Sequence, residues 1–320
     1  MRMQRFAVLA GALLVCQGAA FAQDNTMPTL GILALGNPDP STFIRDFKTG
    51  LGGLGYVEGK NIRIEFRSAE GQSSRLARLA GDLVAMKVAV LVAYQTPATV
   101  AAKAATSDIP IVMASVADPV GSRLVQSLSH PGGNVTGVGS ATAELGTKNL
   151  ELIKEVVPSA RRVAVLANEP DPFHKIFVQS IQAAAGRLGL QVDIVLARAG
   201  DDFDRHFQAM KSSGIDAVLV QPSLPLEQVV ASAAKSGLPA WCPNVSFARA
   251  GGLMAYSADP GSMHQQAAVM VDKVLKGRKP AELPVEITTK FRLVLNAKTA
   301  SAMGLKLSPL LLTRADEVIE

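Results

Sequence analysis

The chain is short of the residues that most often carry covalent or metal chemistry. Two cysteines in 320 residues, Cys16 and Cys242, are too few for a disulfide framework. The four histidines, His130, His174, His206 and His264, lie apart, with no H-x-x-x-H pair and no cysteine beside them, which argues against a zinc site built from a local motif. No serine stands in a G-x-S-x-G elbow. Gly59-Lys60-Asn61 lacks the upstream glycine and the Ser/Thr of a phosphate-binding loop. Gly50 to Gly55 spells G-x-G-x-x-G, but it closes the helical stretch Ser41 to Thr49 instead of following a strand. Charge of neither sign dominates: Lys and Arg number 32 and Asp and Glu 27, and the net +5 is dispersed, so no stripe for nucleic acid is present. Aromatic residues make up only 5%, yet 48% of the chain is hydrophobic and 18% charged, a balance that folds around a sizeable core as one large domain or two medium ones.

The amino terminus has the three parts of a secretory signal. Met1 to Arg5 is basic, Phe6 to Val15 is apolar, and Ala20-Phe21-Ala22 supplies an A-x-A site. The apolar run is too short to span a bilayer and is followed by Gln17. Leu14-Val15-Cys16 lacks the small residue expected before a lipidated cysteine. Residues 1–22 therefore read as a cleavable signal peptide, and the mature chain, starting at Gln23, as a periplasmic protein.

From Thr29 onward, short apolar runs alternate with segments of helical period, the pattern of a doubly wound α/β sheet with buried parallel strands. Strands are expected at Leu30–Leu35, Ile62–Phe66, Val88–Ala93, Ile111–Ser115, Val135–Val138, Val163–Leu166, Val192–Leu196, Ala217–Val220 and Gly252–Tyr256. Val178, Ile181, Ala185 and Leu188, and then Phe203, Phe207 and Met210, recur at helical spacing and read as core faces. The series runs twice, which predicts two αβ lobes joined by a hinge. One takes residues 29–140 with about 258–283, the other 141–257 with about 284–320.

The segments just past the strands are the most informative part of the sequence. Asn37-Pro38-Asp39-Pro40, Thr96-Pro97, Asp118-Pro119, Asp171-Pro172, Gln221-Pro222 and Asp259-Pro260 each put a polar residue before proline where a helix should begin. Such a residue can cap the helix, with proline suited to its first turn. Where the carboxyl ends of the strands border a crevice, it can equally meet a ligand. Cys242, beside Trp241, reads as a buried small hydrophobe, and Asp201, Asp202 and Asp204 as a solvated helix start.

Four segments carry a family resemblance: Leu54-Gly55-Tyr56-Val57-Glu58-Gly59-Lys60-Asn61; Asp118-Pro119-Val120-Gly121; His130-Pro131-Gly132-Gly133-Asn134-Val135-Thr136-Gly137-Val138; and the tail Leu312 to Glu320. In this order they resemble the ABC transporter substrate-binding proteins related to tryptophan/tyrosine transport systems. The resemblance implies a type I periplasmic-binding fold whose two lobes close on a small solute, an amino acid or other carboxylate, and deliver it to an inner-membrane ABC permease. It implies a monomer that needs no cofactor or metal and binds no nucleic acid. It also implies ligand contacts from Asn37, Gln95, Thr96 and Asp118 in one lobe and Asn168, Gln221 and Asp259 in the other. Thr96 with the N–H groups of Ala98 and Thr99 is the expected carboxylate cradle, and Asp118 or Asp259 the expected partner of an ammonium. Tyr94 and Phe173 can stack on an aromatic ligand or pack in the core. The hinge is expected near Gly139–Ala143, with further crossings near Tyr256–Pro260 and Leu283–Val285. Two other readings share parts of the pattern. An exported α/β enzyme would need an activated nucleophile or an acid/base pair, which no local spacing supplies. The effector lobe of a lac-repressor-like regulator would lack the signal peptide and carry an amino-terminal helix-turn-helix.

Overall fold

The computed structural model describes residues 27–36, 40–140 and 145–320. The signal segment, Asn37 and part of the expected hinge lie outside the described residues.

Two sheets organise the chain. The first has the order β11-β5-β4-β3-β1-β2 and is parallel throughout. It comprises β1 (Thr29–Ala34), β2 (Arg63–Ser68), β3 (Val90–Tyr94), β4 (Ile111–Val116), β5 (Val135–Gly139) and β11 (Glu286–Ile287). The second has the order β13-β12-β10-β9-β8-β6-β7. Its members are β6 (Arg162–Asn168), β7 (Gln191–Ala197), β8 (Ala217–Val220), β9 (Ala240–Trp241), β10 (Met254–Ala258), β12 (Phe291–Asn296) and β13 (Glu317–Ile319). Only the β10/β12 pair is antiparallel among the described strands. β3 and β8 are buried along their whole length, as continuous apolar runs between two helical layers should be.

The helices of the first lobe are α1 (Ser41–Gly53), α2 (Leu76–Ala85), α3 (Thr96–Ala105) and, much later in the chain, α9 (Pro260–Leu275). α1 turns Phe43, Phe47 and Leu51 inward at spacing four, where they share a core with Met263, Ala267 and Val271 of α9. α1 runs through Gly50 instead of ending before it. A Cβ at Gly50 would stand 2.9 Å from that of Ala268, so the glycine lets the two helices approach. The second lobe holds α4 (Leu145–Val156), α5 (His174–Ala185), α6 (Phe203–Ser212), α7 (Leu226–Ser236), α8 (Val245–Arg249), α10 (Ala297–Ala302) and α11 (Pro309–Arg314). The expected stripe of Phe203, Phe207 and Met210 is the buried face of α6.

The chain passes between the sheets after β5, after β10 and after β11. The last passage corrects the sequence-based boundary. Glu286 and Ile287 pair with Val138 and Gly139 of the first sheet, so the return comes after Ile287 and does not fall at Leu283–Val285. Two amphipathic residues could not reveal the side of the molecule on which they pair. The passages are bonded to one another: the N–H of Asp259 donates to the carbonyl of Lys290 (2.8 Å), and that of Thr288 to Gly139 (3.2 Å).

The polar-proline steps divide by function. Asp259 is a true N-cap, accepting from the N–H of Ser262 at 2.9 Å at the head of α9. Asp171 accepts from the N–H of Phe173 (2.9 Å) just ahead of α5. Thr96 makes no side-chain cap; the residue in the capping position of α3 is Gln95. No helix begins at Asp118, where a turn is closed by its carboxylate on the N–H of Gly121 (2.8 Å), and none at Gln221, since α7 starts at Leu226. A proline fixes its own φ but cannot decide whether the residues after it continue as helix. Cys242 lies just past β9, fully buried, and burial pushes its thiol pKa well up, as suits an inert packing residue.

Candidate functional site

The carboxyl ends of strands from both sheets face a cleft between the lobes, with an empty volume of about 850 Å3 counted to its open mouth. Tyr94, Gln95, Thr96, Ser115 and Ala117 reach it from the ends of β3 and β4, and Thr42, Met263 and His264 from α1 and α9. Opposite them stand Asp171, Phe173, Gln221, Ser223, Asn244 and Ser246, all in loops or first turns after β6, β8 and β9. Ala117 also packs against the core of the second lobe, so the two walls meet at one side of the cleft.

Two residues on the first wall hold backbone conformations that side chains disfavour: Gln95 at φ +71° and Ser115 at φ +60°. Neighbouring contacts fix this twist. Gln95 donates its N–H to Ala114 (2.8 Å), and its carbonyl accepts from both the N–H (3.1 Å) and the hydroxyl (2.9 Å) of Thr99. Strain of this kind is kept where surrounding structure over-determines it, commonly at ligand sites.

The second wall is built on a buried polar network. Asp171, 3% exposed, accepts from Gln221 Nε2 (2.8 Å) and Ser223 Oγ (2.5 Å) besides the N–H of Phe173. Gln221 Oε1 in turn accepts from the N–H of Asn168 (2.9 Å), and Asn168 Nδ2 donates to the carbonyl and hydroxyl of Ser223 (3.2 and 3.1 Å). Burial raises the Asp171 pKa from its ordinary value, against the lowering effect of its three hydrogen bonds and of the nearby His174 ring. No lysine or arginine is among the residues lining the cleft, and among the described residues none contributes to holding Asp171 ionised. The cleft thus offers a carboxylate, several hydroxyls and amides, and an aromatic surface, but no fixed cation.

On the first wall, Tyr94 stacks on Phe43 with ring centroids 4.4 Å apart and planes at 10°, and His264 stands edge-on to both rings. Phe173 is buried and faces the cleft from the other lobe.

Of the residues expected from the sequence, Gln95, Thr96 and Gln221 stand on the cleft wall. Asn168 lies behind it, bracing Ser223. Asp118 and Asp259 are not part of the lining, although their neighbours Ala117, Ala258 and Pro260 are. Asp118 is spent on its own turn, and Asp259 on its cap and a 3.8 Å contact with Arg292. The expected cradle also loses a donor, because the N–H of Thr99 is bound to Gln95. Asp171 is visible in the sequence as an Asp-Pro step, yet it stands outside the expected ligand set. Ser223, Ser246 and His264 have no local signature: their positions depend on how the lobes meet.

Two αβ lobes around a cleft of this make-up define a small-solute-binding protein of the type I periplasmic-binding fold. The chain belongs to the ABC transporter substrate binding protein family, whose model matches residues 38–319. A curated relative, the "Tyrosine-binding protein" of Clostridioides difficile (strain R20291), is 28% identical over 268 residues, covering 82% of this chain and 76% of that one. Among solved structures, an ABC domain in complex with L-Trp from Streptococcus pneumonia superposes with a TM-score of 0.85 at 29% identity, covering 91% of this chain and 99% of the other. A conserved domain protein from Vibrio cholerae reaches the same score at 26% identity and the same coverage. The protein is accordingly the substrate-binding component of an ABC transporter: such proteins bind small solutes and work with a permease. No helix among the described residues is long and apolar enough to cross a membrane.

Proposed function

We propose that the cleft takes an aromatic amino acid as its zwitterion, for import from the periplasm. The observation that carries this reading is Asp171, a buried carboxylate on the cleft wall with no lysine or arginine to neutralise it. An ammonium group supplies the missing charge and a charge-assisted hydrogen bond. With no lysine or arginine on the walls, the solute's carboxylate must be held by neutral donors such as Thr96 and Ser246, so solutes of net negative charge are disfavoured. Phe173 and Tyr94 supply flat apolar surface for a ring. The relatives support the same class, one being named for tyrosine and one solved with L-Trp.

In this reading the monomeric protein acts by closure, without catalysing a reaction. Residues 29–36 and 40–140 with 260–287 move as one lobe, residues 145–258 with 291–319 as the other, and the two close on the solute. Contacts from both walls to one solute favour the closed form, because a ligand shifts an equilibrium only through its differential affinity. Small-angle scattering with saturating L-tyrosine or L-tryptophan is expected to show a more compact particle than without; identical curves despite measured binding would count against closure.

Export is the other part of the proposal. The A-x-A site at Ala20 to Ala22 is cut, and the mature protein begins at Gln23. The intact mass of periplasmic material is expected to lack residues 1–22. A retained leader, or a mass increment from lipidated Cys16, would instead describe an anchored protein.

A further inference from the structure

His264 stands at the corner where α9, α1 and the end of β3 meet the cleft, and it is 2% exposed. Its Nδ1 lies 3.2 Å from Asp46 Oδ2 on α1. A carboxylate accepts only, so Nδ1 carries the hydrogen, and in the neutral ring Nε2 is left with a lone pair. That Nε2 is buried with no hydrogen-bond partner among the described residues. A buried acceptor without a donor is uncommon and costly, and a carboxylate orienting the opposite nitrogen is the usual way to fix an imidazole for a task at its free edge. The neighbouring wall residue Gln95, adjacent to the Tyr94 ring on which His264 stands edge-on, also leaves its amide oxygen unpaired. The surrounding charges are Asp46 and Arg45 on α1 and Asp259 at the head of α9, and burial lowers the His264 pKa against the raising effect of the two carboxylates, favouring the neutral ring. Nothing among the described residues of this wall supplies the donor that Nε2 lacks.

We infer that His264, oriented by Asp46, is the acceptor that reads a hydrogen-bond donor on the solute's ring, selecting aromatic amino acids with a polar ring substituent over plain phenyl. This rests on the aromatic amino acid reading above. His264 is the contact residue and Asp46 the positioning residue. A solute with a donor satisfies Nε2 on closure, whereas one without it leaves the buried atom unpaired.

Titration calorimetry with L-tyrosine and L-phenylalanine, which differ by one hydroxyl, tests the assignment. The wild-type protein is expected to bind tyrosine about 10-fold or more tightly than phenylalanine. His264→Phe keeps a ring against Phe43 and Tyr94 but removes the acceptor. It is expected to bring the two affinities within about twofold of each other, by loss of tyrosine affinity alone. Asp46→Asn, which still offers an oxygen to Nδ1–H, should keep most of the discrimination, while Asp46→Leu should lose it; this pair decides the matter if His264→Phe does not fold. Equal wild-type affinities, or a parallel fall of both in the His264 variant, would overturn the assignment and leave the amino acid reading intact. If the wild-type protein binds neither compound and L-tryptophan does not bind either, the amino acid reading falls and the His264 assignment with it.

Discussion

Asp171→Asn is expected to weaken binding of L-tyrosine or L-tryptophan roughly 10- to 150-fold, the loss of a charge-assisted hydrogen bond worth about 1.5 to 3 kcal/mol. The unliganded melting temperature should move little. Because the Asp171 pKa is raised in the fold, its favourable contribution to stability belongs to pH values below the ordinary carboxylate range and is lost as pH rises through the raised value. Above that raised value the ionised group is a cost that the amide removes, offsetting the poorer acceptor left for Gln221 and Ser223. Asp118→Ala supplies the contrast. Its carboxylate closes a turn on Gly121 outside the cleft lining, so solute affinity should stay within about twofold of wild type. Calorimetry on both variants decides; unchanged affinity in Asp171→Asn would return the residue to a scaffolding role.

Gly137→Ala is expected to be the most damaging conservative change in the first lobe. Gly137 sits in β5 at φ +136°, opposite Met113, where the register of β4 on β5 shifts before Val116. A Cβ there would lie 2.2 Å from the Met113 carbonyl oxygen and 2.6 Å from its nitrogen, atoms of a neighbouring strand that cannot swing aside. Backbone strain and overpacking together imply a loss of roughly 2 to 6 kcal/mol. Thermal unfolding should show a melting temperature lowered by more than about 5 °C. A drop of only a degree or so would mean that β4 and β5 separate more easily than their packing implies.

The segments that carry the family resemblance are fasteners of the fold. In the first, Asn61 accepts from the N–H of Val57 (2.6 Å) and donates to the carbonyl of Gly55 (2.8 Å), while Tyr56 donates to Asp272 (3.0 Å) on α9. In the segment from His130 to Val138, Asn134 donates to Thr106 and Ile109 (both 3.0 Å), and Gly132 leaves room for the Gln126 side chain. In the tail, Asp316 accepts from the N–H of Leu293 (2.7 Å), and Arg314 and Glu317 pair with Glu155 and Arg249. None of these residues lines the cleft. This is why the two-lobed fold is legible in the sequence and the site much less so: each fastener needs particular residues at fixed spacing, whereas a cleft wall is assembled from single residues far apart in the chain. The alternation of β and helical periods locates nine of the thirteen strands among the described residues, β1 to β8 and β10, for the same local reason, whereas the two-residue β9 and β11 and the late β12 and β13 escape it. Asp171 shows itself as a step before proline, but its isolation from any lysine or arginine exists only after Gln221 and Ser223 have folded around it.

The late return of α9 and β11 to the first sheet bears on how the chain reaches this state. The contacts Tyr56–Asp272 and Asp46–His264 join residues 216 and 218 positions apart, and β12 and β13 complete the second sheet only at the far end of the sequence. Neither lobe can close its core until almost the whole polypeptide is available, and non-local closure of this kind is slow. During synthesis the early strands would remain without their covering helix, a form that chaperones can hold and a translocation channel can thread. A circular permutant that places α9 directly before β1 would make the first lobe contiguous, fold it sooner, and so set rapid folding against passage through a membrane.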